Sequence, residues 1–215
     1  MKMEDDKKKK YNKGKYIMTK VSLDLIQKLR NMTGLGMLDC KKALEEANGD
    51  LDKAIEHLRK RGAALADKRA DRETSQGIVV SYIHPGDQTG VLIELNCETD
   101  FVARTQDIKN IARDLAMHIA ACKPVYVSPE QVDTAYLEKE KEIAIEQLKN
   151  QGKPAQMIEK IIEGKMAKLA SDVSLLKQAF VKDEQKTVEE LLKELSAKTG
   201  ENIRVKRFVR FEIGN

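Results

Sequence analysis

The stretch Glu94-Leu-Asn-Cys-Glu-Thr-Asp-Phe-Val-Ala-Arg104 determines how the second half of this chain is organised. Its first residues continue an alternation of apolar and polar side chains that is typical of a half-buried β-strand, and the alternation stops after Cys97. Thr99 and Asp100 are suitable caps for a helix that we expect to begin near Thr105. The stretch therefore predicts a strand-to-helix corner.

Phe101 lies in this corner, where no core-packing pattern accounts for its aromatic side chain. One interpretation is that the ring, beside the carboxylate of Asp100, is aimed at a partner molecule. The other interpretation is that the ring folds back as a lid over the protein's own core. Local chemistry alone leaves both interpretations open.

The composition indicates a globular protein of mixed α and β structure with helix in excess. The chain has 215 residues, of which 41% are hydrophobic, 4% aromatic and 34% charged, and it contains no Trp. Aromatic and β-branched residues carry most strand-dominated folds, so the low aromatic content favours helices with aliphatic cores. The length allows one large domain, or a small domain followed by a medium-sized one.

The positive charge of the chain is concentrated at its N-terminus. The formal net charge is +4, but residues 1–20 hold eight Lys against three acidic residues, a local balance of +5 that leaves −1 for the remainder. Because the body of the protein lacks a basic footprint, we expect no direct nucleic-acid binding. Residues 1–20 are predicted to be a disordered, Lys-rich extension, and Met18 is a possible start of the functional chain.

Cysteine usage and hydropathy predict a cytoplasmic protein without membrane association. Cys40, Cys97 and Cys122 are scattered and lack CxxC spacing, which favours a reducing compartment over a disulfide scaffold or a zinc site. No apolar run approaches the roughly 20 residues that cross a bilayer, and the N-terminus lacks the apolar core of a secretion signal.

Residues 21–61 are predicted to form a small three-helix domain. Ser22 caps the first helix, the second is expected from about Asp39 to Asn48, and the third from Asp50 to Arg61 with Gly62 after it.

The loop between the first two predicted helices carries the apolar side chains Leu35, Met37 and Leu38 among glycines. These side chains either complete the small core or form an exposed binding edge, and the sequence leaves both possibilities open.

Residues 62–76 alternate in charge and are predicted to be a helical linker to an αβ core domain at 77–215. The elements expected there are strands from Gly77 to His84 and from Val91 to Cys97, a helix from Thr105, helices from about Asp133 to Asn150 and from Pro154 or Ala155, a helix from Thr187 to Lys198, and a strand from Ile203 to Ile213. A three-stranded antiparallel sheet with helices on one side accounts for this order, which gives an α+β fold. Residues 171–184 have no assignment.

The last strand is predicted to have one apolar face. Its members, interrupted only by Arg207, are Ile203, Val205, Val209, Phe211 and Ile213. The opposite face would carry Arg204, Lys206, Arg210 and Glu212, with Phe208 among them.

No catalytic, cofactor or metal site is predicted. The three His and three Cys residues form no nucleophile, base and orienter constellation, and His118, at the border of a helix stripe, fits a structural role better than a catalytic one. Neither of the common phosphate-binding glycine patterns occurs. We therefore expect a protein that is not an enzyme.

Two segments resemble the elongation factor Ts family, the guanine-nucleotide exchange factors of elongation factor Tu. They are Leu29-Arg-Asn-Met-Thr-Gly-Leu-Gly-Met-Leu-Asp-Cys-Lys-Lys-Ala-Leu44 and the stretch from Glu94 to Arg104. The resemblance continues through Ala116-Met-His-Ile-Ala-Ala-Cys-Lys-Pro124, Gly152-Lys-Pro154 and Arg210-Phe-Glu-Ile-Gly214, and it covers nearly everything from Met18 to Gly214.

This resemblance implies a helical domain like ubiquitin-associated domains, followed by an αβ core. It implies that the segment of Thr99, Asp100, Phe101 and Val102 enters the nucleotide domain of GDP-bound elongation factor Tu. Phe101 would be wedged between helices of that domain, and Asp100 would approach the magnesium region.

The same resemblance implies that Met37 and Leu38 contact the partner's nucleotide domain and that His118 contacts another of its domains. Longer family members carry two copies of the core, whereas this chain has one, and short members dimerise. A homodimer is therefore expected, with a functional monomer as the alternative.

The function expected from the resemblance is promotion of GDP release from elongation factor Tu during translation elongation. One alternative is an RNA- or ribosome-associated binding protein without exchange activity, which the Lys-rich extension and the basic last strand would favour. Another is an adaptor that captures ubiquitin-like partners, which requires Met37 and Leu38 to be exposed.

Overall fold

The structure is a computed structural model that describes residues 21–214. The predicted disorder of residues 1–20 and the possible start at Met18 lie outside the described residues. The chain divides into two compact units that meet between Arg61 and Gly62. Among the described helices, none has the length and apolar composition that crossing a lipid bilayer requires.

The first unit is helical in its described residues. Ser22 caps the first helix by accepting a hydrogen bond from the amide of Leu25, and Gly34 ends that helix in the left-handed conformation at φ 69°. The helices are α1 (Leu23–Thr33), α2 (Met37–Glu46) and α3 (Leu51–Asp67). They enclose a core of Ile26, Leu29, Cys40, Ala43, Leu44, Ala47, Ala54 and Leu58.

Two helix boundaries differ from the prediction. Helix α2 begins at Met37 rather than near Asp39. Helix α3 continues to Asp67 rather than ending at Arg61, because residues 63–66 are good helix formers and Gly62 lies within the helix. A Cβ atom on Gly62 would lie 2.9 Å from the Cβ of Ala197, so this glycine permits a close helix contact and does not end the helix.

The second unit is built on an antiparallel sheet. Its elements in chain order are β1 (Gln76–Ile83), β2 (Thr89–Cys97), α4 (Asp100–Ala103), α5 (Gln106–Cys122), α6 (Thr134–Asn150), α7 (Ala155–Asp172), β3 (Ala179–Phe180), β4 (Asp183–Thr187), α8 (Val188–Thr199) and β5 (Arg204–Glu212). Strands β1, β2 and β5 pair in the order β1-β2-β5, which confirms the predicted α+β fold with a three-stranded antiparallel sheet. The short β3-β4 hairpin falls largely in the segment left unassigned.

Helices cover one face of the sheet. The predicted apolar stripe of α5 packs on it, with Ile108, Ala112, Leu115, Ala116 and Ile119 fully buried. The opposite face remains open in this chain. Its large exposed side chains are Val79, Ile83, Leu92, Val209, Phe211 and Ile213.

A β-bulge overturns the prediction that the apolar residues of the last strand share one face. Leu95 pairs with Val205 while the preceding Glu94 pairs with Arg207, so Lys206 is an extra residue in β5. Val205 consequently faces the helices and is buried, whereas Val209 lies on the open face. Strict alternation fails here because the bulge shifts the side-chain period by one residue.

Helices α6 and α7 form an antiparallel hairpin with a small cluster of its own. Gly152, at φ 69°, lies in the turn between them. The buried side chains of this cluster are Ala144, Leu148, Ile158 and Ile162. Helix α8 begins with a capping box between Thr187 and Glu190, as its predicted start at Thr187 requires.

Candidate functional site

The corner after β2 contains two successive helix caps. Thr99 caps the single turn of α4 by accepting a hydrogen bond from the amide of Val102, and Thr105 caps α5 in the same way through Ile108. The expectation that Thr99 and Asp100 cap the helix near Thr105 is therefore wrong, because a separate helical turn intervenes.

Phe101 projects from this turn into solvent. Its side chain is 79% exposed, whereas Ala103 is 5% exposed and Val102 packs partly against the core of the second unit. The inner side of α4 is thus anchored and the phenyl ring is left outside. This finding excludes the interpretation of Phe101 as a lid over its own core.

Asp100 lies beside the ring and pairs with Arg104. The distance from Arg104 Nη2 to Asp100 Oδ2 is 2.8 Å, and the two side chains are 78% and 44% exposed respectively. An exposed pair of this kind contributes only about 0 to 1 kcal/mol. The carboxylate of Asp100 therefore remains available to a partner at little cost.

The backbone at the corner is held by Glu201, which lies in the loop between α8 and β5. Its Oε2 accepts hydrogen bonds from the amides of Glu98 and Thr99 at 3.1 and 3.0 Å. Its Oε1 accepts a bond from the hydroxyl of Thr99 at 2.6 Å. A single carboxylate therefore orients both the strand end and the capping residue of α4.

The carboxylate of Glu98 bonds in the other direction, from the corner to the loop that contains Glu201. Glu98 Oε1 accepts a hydrogen bond from the amide of Asn202 at 2.6 Å. The side chain of Asn202 in turn donates to the carbonyls of Ala70 and Arg72 at 3.0 and 2.9 Å. The corner, the loop before β5 and the segment before β1 are thereby joined in one hydrogen-bonded network.

Cys97 lies on the buried side of this network and bonds to it through its thiol. Its thiol donates to the carbonyl of Thr99 at 3.1 Å and is 1% exposed. Burial raises the pKa of this thiol, and the nearby negative charge of Glu201 adds to the effect. The thiol is therefore kept neutral, which fits a structural group and not a nucleophile.

In the first unit, the two predicted contact residues differ in exposure. Met37 packs partly against the core, as Leu35 does, whereas the side chain of Leu38 is 73% exposed in the first turn of α2. Met37 and Leu35 therefore contribute to the small core, whereas Leu38 has the exposure that a binding edge would require.

His118 is fully buried in the second unit. Its Nδ1 accepts a hydrogen bond from the amide of Val181 at 3.2 Å, so the ring proton lies on Nε2 and is donated to Gln178 Oε1 at 3.0 Å. Burial lowers the pKa of this histidine and favours the neutral ring. In this chain the ring ties α5 to the β3-β4 region.

The structure also shows which groups the sequence did not reveal. Glu98, Glu201 and Asn202 frame the corner, yet the only sequence signal for them is their place in short polar segments beside strands. Among residues 21–214, no group of three or more His, Cys, Asp or Glu side chains is placed to hold a metal ion.

Known proteins resemble this chain over almost its whole length. Residues 18–215 match the family described as Elongation factor TS. The protein named elongation factor Ts from Thermotoga maritima is 56% identical over 194 residues, which cover 90% of this chain and 96% of the relative. Those of the same name from Thermosipho melanesiensis and Carboxydothermus hydrogenoformans are 56% and 53% identical over 194 residues, covering 99% and 89% of the relatives.

Proposed function

The chain belongs to the elongation factor Ts family, so its role is nucleotide exchange in translation elongation, and we propose that it exerts this role on GDP-bound elongation factor Tu through the corner around Phe101. The observation that carries the proposal is the 79% exposure of the Phe101 side chain on an anchored helical turn. Exchange makes and breaks no covalent bond, so no catalytic group is required.

In this proposal, Phe101 acts as a wedge between helices of the partner's nucleotide domain. Burying a phenylalanine side chain contributes roughly 1.5–3 kcal/mol, and the protein alone leaves most of that contribution unused. Insertion of the ring therefore supplies free energy that can be coupled to a displacement of the nucleotide site.

Asp100 supplies the second part of the proposed mechanism. A carboxylate brought near the magnesium region competes with the ligands that neutralise the phosphates of GDP. Weaker binding of GDP in the presence of the factor requires equally weaker binding of the factor in the presence of GDP. An incoming nucleotide consequently expels the factor, and the cycle can repeat.

The first unit is proposed to be a ubiquitin-associated-like domain, residues 21–61, that contacts the same nucleotide domain. Leu38 is the stronger candidate for a direct contact because its side chain is 73% exposed. Met37, which packs partly inward, supports the start of α2.

We propose that His118, in the second unit, contributes to partner binding indirectly. Its ring fixes the neighbouring Val181, which is 41% exposed.

We also propose that the core domain, residues 77–215, forms a homodimer through the open face of its sheet. This face leaves Val79, Phe211 and Ile213 exposed by 69%, 68% and 75%, an unusual apolar surface for a monomer. A second copy presents the same face, so a two-fold arrangement buries both.

Residues 62–76 would then serve as the linker to the helical domain. The working location would be the cytoplasm, where translation occurs.

The direct test is release of a fluorescent GDP analogue from elongation factor Tu in a stopped-flow instrument. We expect the release rate to rise with the concentration of this protein and to reach a plateau. Release that is unchanged at every concentration would rule out the proposed function.

A further inference from the structure

We propose that Glu201 is a positioning residue for nucleotide exchange, a role that rests on the proposed function of the corner. Its carboxylate accepts three hydrogen bonds from Glu98 and Thr99, which are 103 and 102 residues away in sequence. Glu201 itself is not assigned a contact with the partner. It acts through the orientation of Thr99 and of the turn that presents Phe101.

The geometry shows why a carboxylate is required. Thr99 Oγ1 donates to Glu201 Oε1 at 2.6 Å and, through the same oxygen, accepts the amide of Val102 at 3.4 Å. The hydroxyl proton is therefore directed away from α4, which leaves its lone pairs to cap the helix. A carboxylate has two acceptor oxygens and no donor, so it can serve both amides and the hydroxyl together.

A glutamine at position 201 would break this arrangement. Its amide keeps one acceptor oxygen and places an NH₂ group where the other oxygen accepted a proton. An aspartate would retain the charge but would be one methylene group too short. Both changes leave α4, a helix of only four residues, without its anchor at the N-cap.

Glu190 provides a matched control. Its Oε2 accepts hydrogen bonds from the amide and the hydroxyl of Thr187 at 2.8 and 3.2 Å, which is the same chemistry at the other end of α8. Glu190 and Glu201 are separated by roughly 16 Å along the helix direction. Glu190→Gln thus makes the same chemical change at a distant helix cap without touching the corner.

The experiment measures GDP release from elongation factor Tu at saturating full-length protein, together with the concentration that gives half-maximal acceleration. We expect Glu201→Gln to lower the maximal rate by about tenfold or more, with a smaller change in the half-maximal concentration, because misplacing the groups that act on the nucleotide site is costly while other contacts persist. Glu190→Gln should retain the wild-type maximal rate. Glu201→Asp should behave like Glu201→Gln, and it takes that variant's place if the glutamine protein does not fold.

Amide hydrogen exchange of the free protein is the second readout. Glu201→Gln should speed exchange at Glu98 and Thr99, and Glu190→Gln should not. A wild-type maximal rate for Glu201→Gln, an equal loss in Glu190→Gln, or unchanged protection at Glu98 and Thr99 would each overturn the positioning role. If the wild-type protein itself fails to accelerate release, the proposed function fails and the role of Glu201 in exchange fails with it, whereas the amide data still show whether Glu201 orders the corner.

Discussion

Arg207 and Glu94 form an ion pair across β5 and β2, with 2.7 Å between Nε and Oε2. The pair lies directly beside the bulge at Lys206, on the open face of the sheet. It neutralises the charged end of that face, so the remaining surface is largely apolar. Because of the bulge, Val209 and Phe211 lie on the open face of the sheet. A regular strand would have placed them on the same face as Val205.

We expect an aspartate at position 209 to disrupt dimer formation. Val209→Asp would place a charge on the open face, where burial against a second copy would remove that charge from water. Sedimentation velocity should show a dimer for the wild-type protein and a monomer for the variant. Lys206→Asp, which places an acidic group on the same strand at an exposed position, should remain dimeric. A monomeric wild-type protein at micromolar concentration would contradict the proposed homodimer.

Truncation of the exposed ring should impair exchange without unfolding the protein. Phe101→Ala removes a group whose burial is worth roughly 1.5–3 kcal/mol, so acceleration of GDP release should fall about 10- to 100-fold. The melting temperature should stay near that of the wild type because the ring is 79% exposed. Met157→Ala removes a half-exposed side chain from α7 and should exchange normally. Normal exchange by Phe101→Ala would mean that the ring is not the wedge.

The proposed role of Asp100 predicts a dependence on magnesium. Asp100→Asn should slow GDP release at millimolar Mg²⁺, and removal of the metal with a chelator should reduce the difference from the wild type. Arg104→Gln breaks the ion pair at 2.8 Å but keeps the carboxylate, so it should exchange at nearly the wild-type rate. A deficit of Asp100→Asn that is independent of magnesium would argue against action near the metal.

The carboxyl group of Glu212 should make stability depend on pH in acid. Hydrogen bonds from Arg210 and Lys123 lower its pKa from 4.5 to about 2. A depressed folded-state pKa stabilises the native state fully above the unfolded value of 4.5, and this stabilisation is lost as the pH falls towards 2. Urea unfolding between pH 7 and pH 2 should therefore show a smaller decline for Glu212→Gln than for the wild type. Glu142→Gln, on the exposed side of α6, is the control and should lose as much stability in acid as the wild type. If Glu142→Gln instead showed the same reduced decline as Glu212→Gln, the acid dependence could not be assigned to Glu212.

Two leucines in the first unit should separate stability from partner binding. Leu38 is 73% exposed, so Leu38→Ala should weaken the affinity for elongation factor Tu while leaving the melting temperature unchanged. Leu44 is fully buried, and Leu44→Ala should destabilise the unit by about 2–5 kcal/mol. Circular dichroism and binding calorimetry distinguish the two effects. Unchanged affinity in Leu38→Ala would remove this residue from the contact surface.

Much of the fold was predictable because local signals agreed with tertiary structure. Ser22 marked a helix start as a capping residue, and the helix predicted from Thr187 begins at a residue whose side chain caps it. The antiparallel sheet followed from the order of alternating segments. These signals depend on neighbours within a few residues, which is why the sequence alone could carry them.

The remaining features depend on contacts between distant segments. The bulge at Lys206 arises from pairing with β2, and the helical continuation through Gly62 accompanies a close approach to Ala197. At the site, the exposure of Phe101 could be posed as a question from sequence but not answered. For Glu201 the only local signal was its place in a short polar segment before the last strand, because its hydrogen-bond partners lie about a hundred residues earlier.

That separation has a consequence for biosynthesis. Glu201 follows Thr99 by 102 residues, so at roughly 5–20 residues per second a ribosome needs about 5–20 seconds to add it after the corner has been made. During this interval the nascent chain already carries Phe101 and Asp100 but lacks the group that orders them. A polypeptide released early would likewise lack it. The hydrogen bonds that hold the corner can therefore form only after the ribosome has passed Glu201.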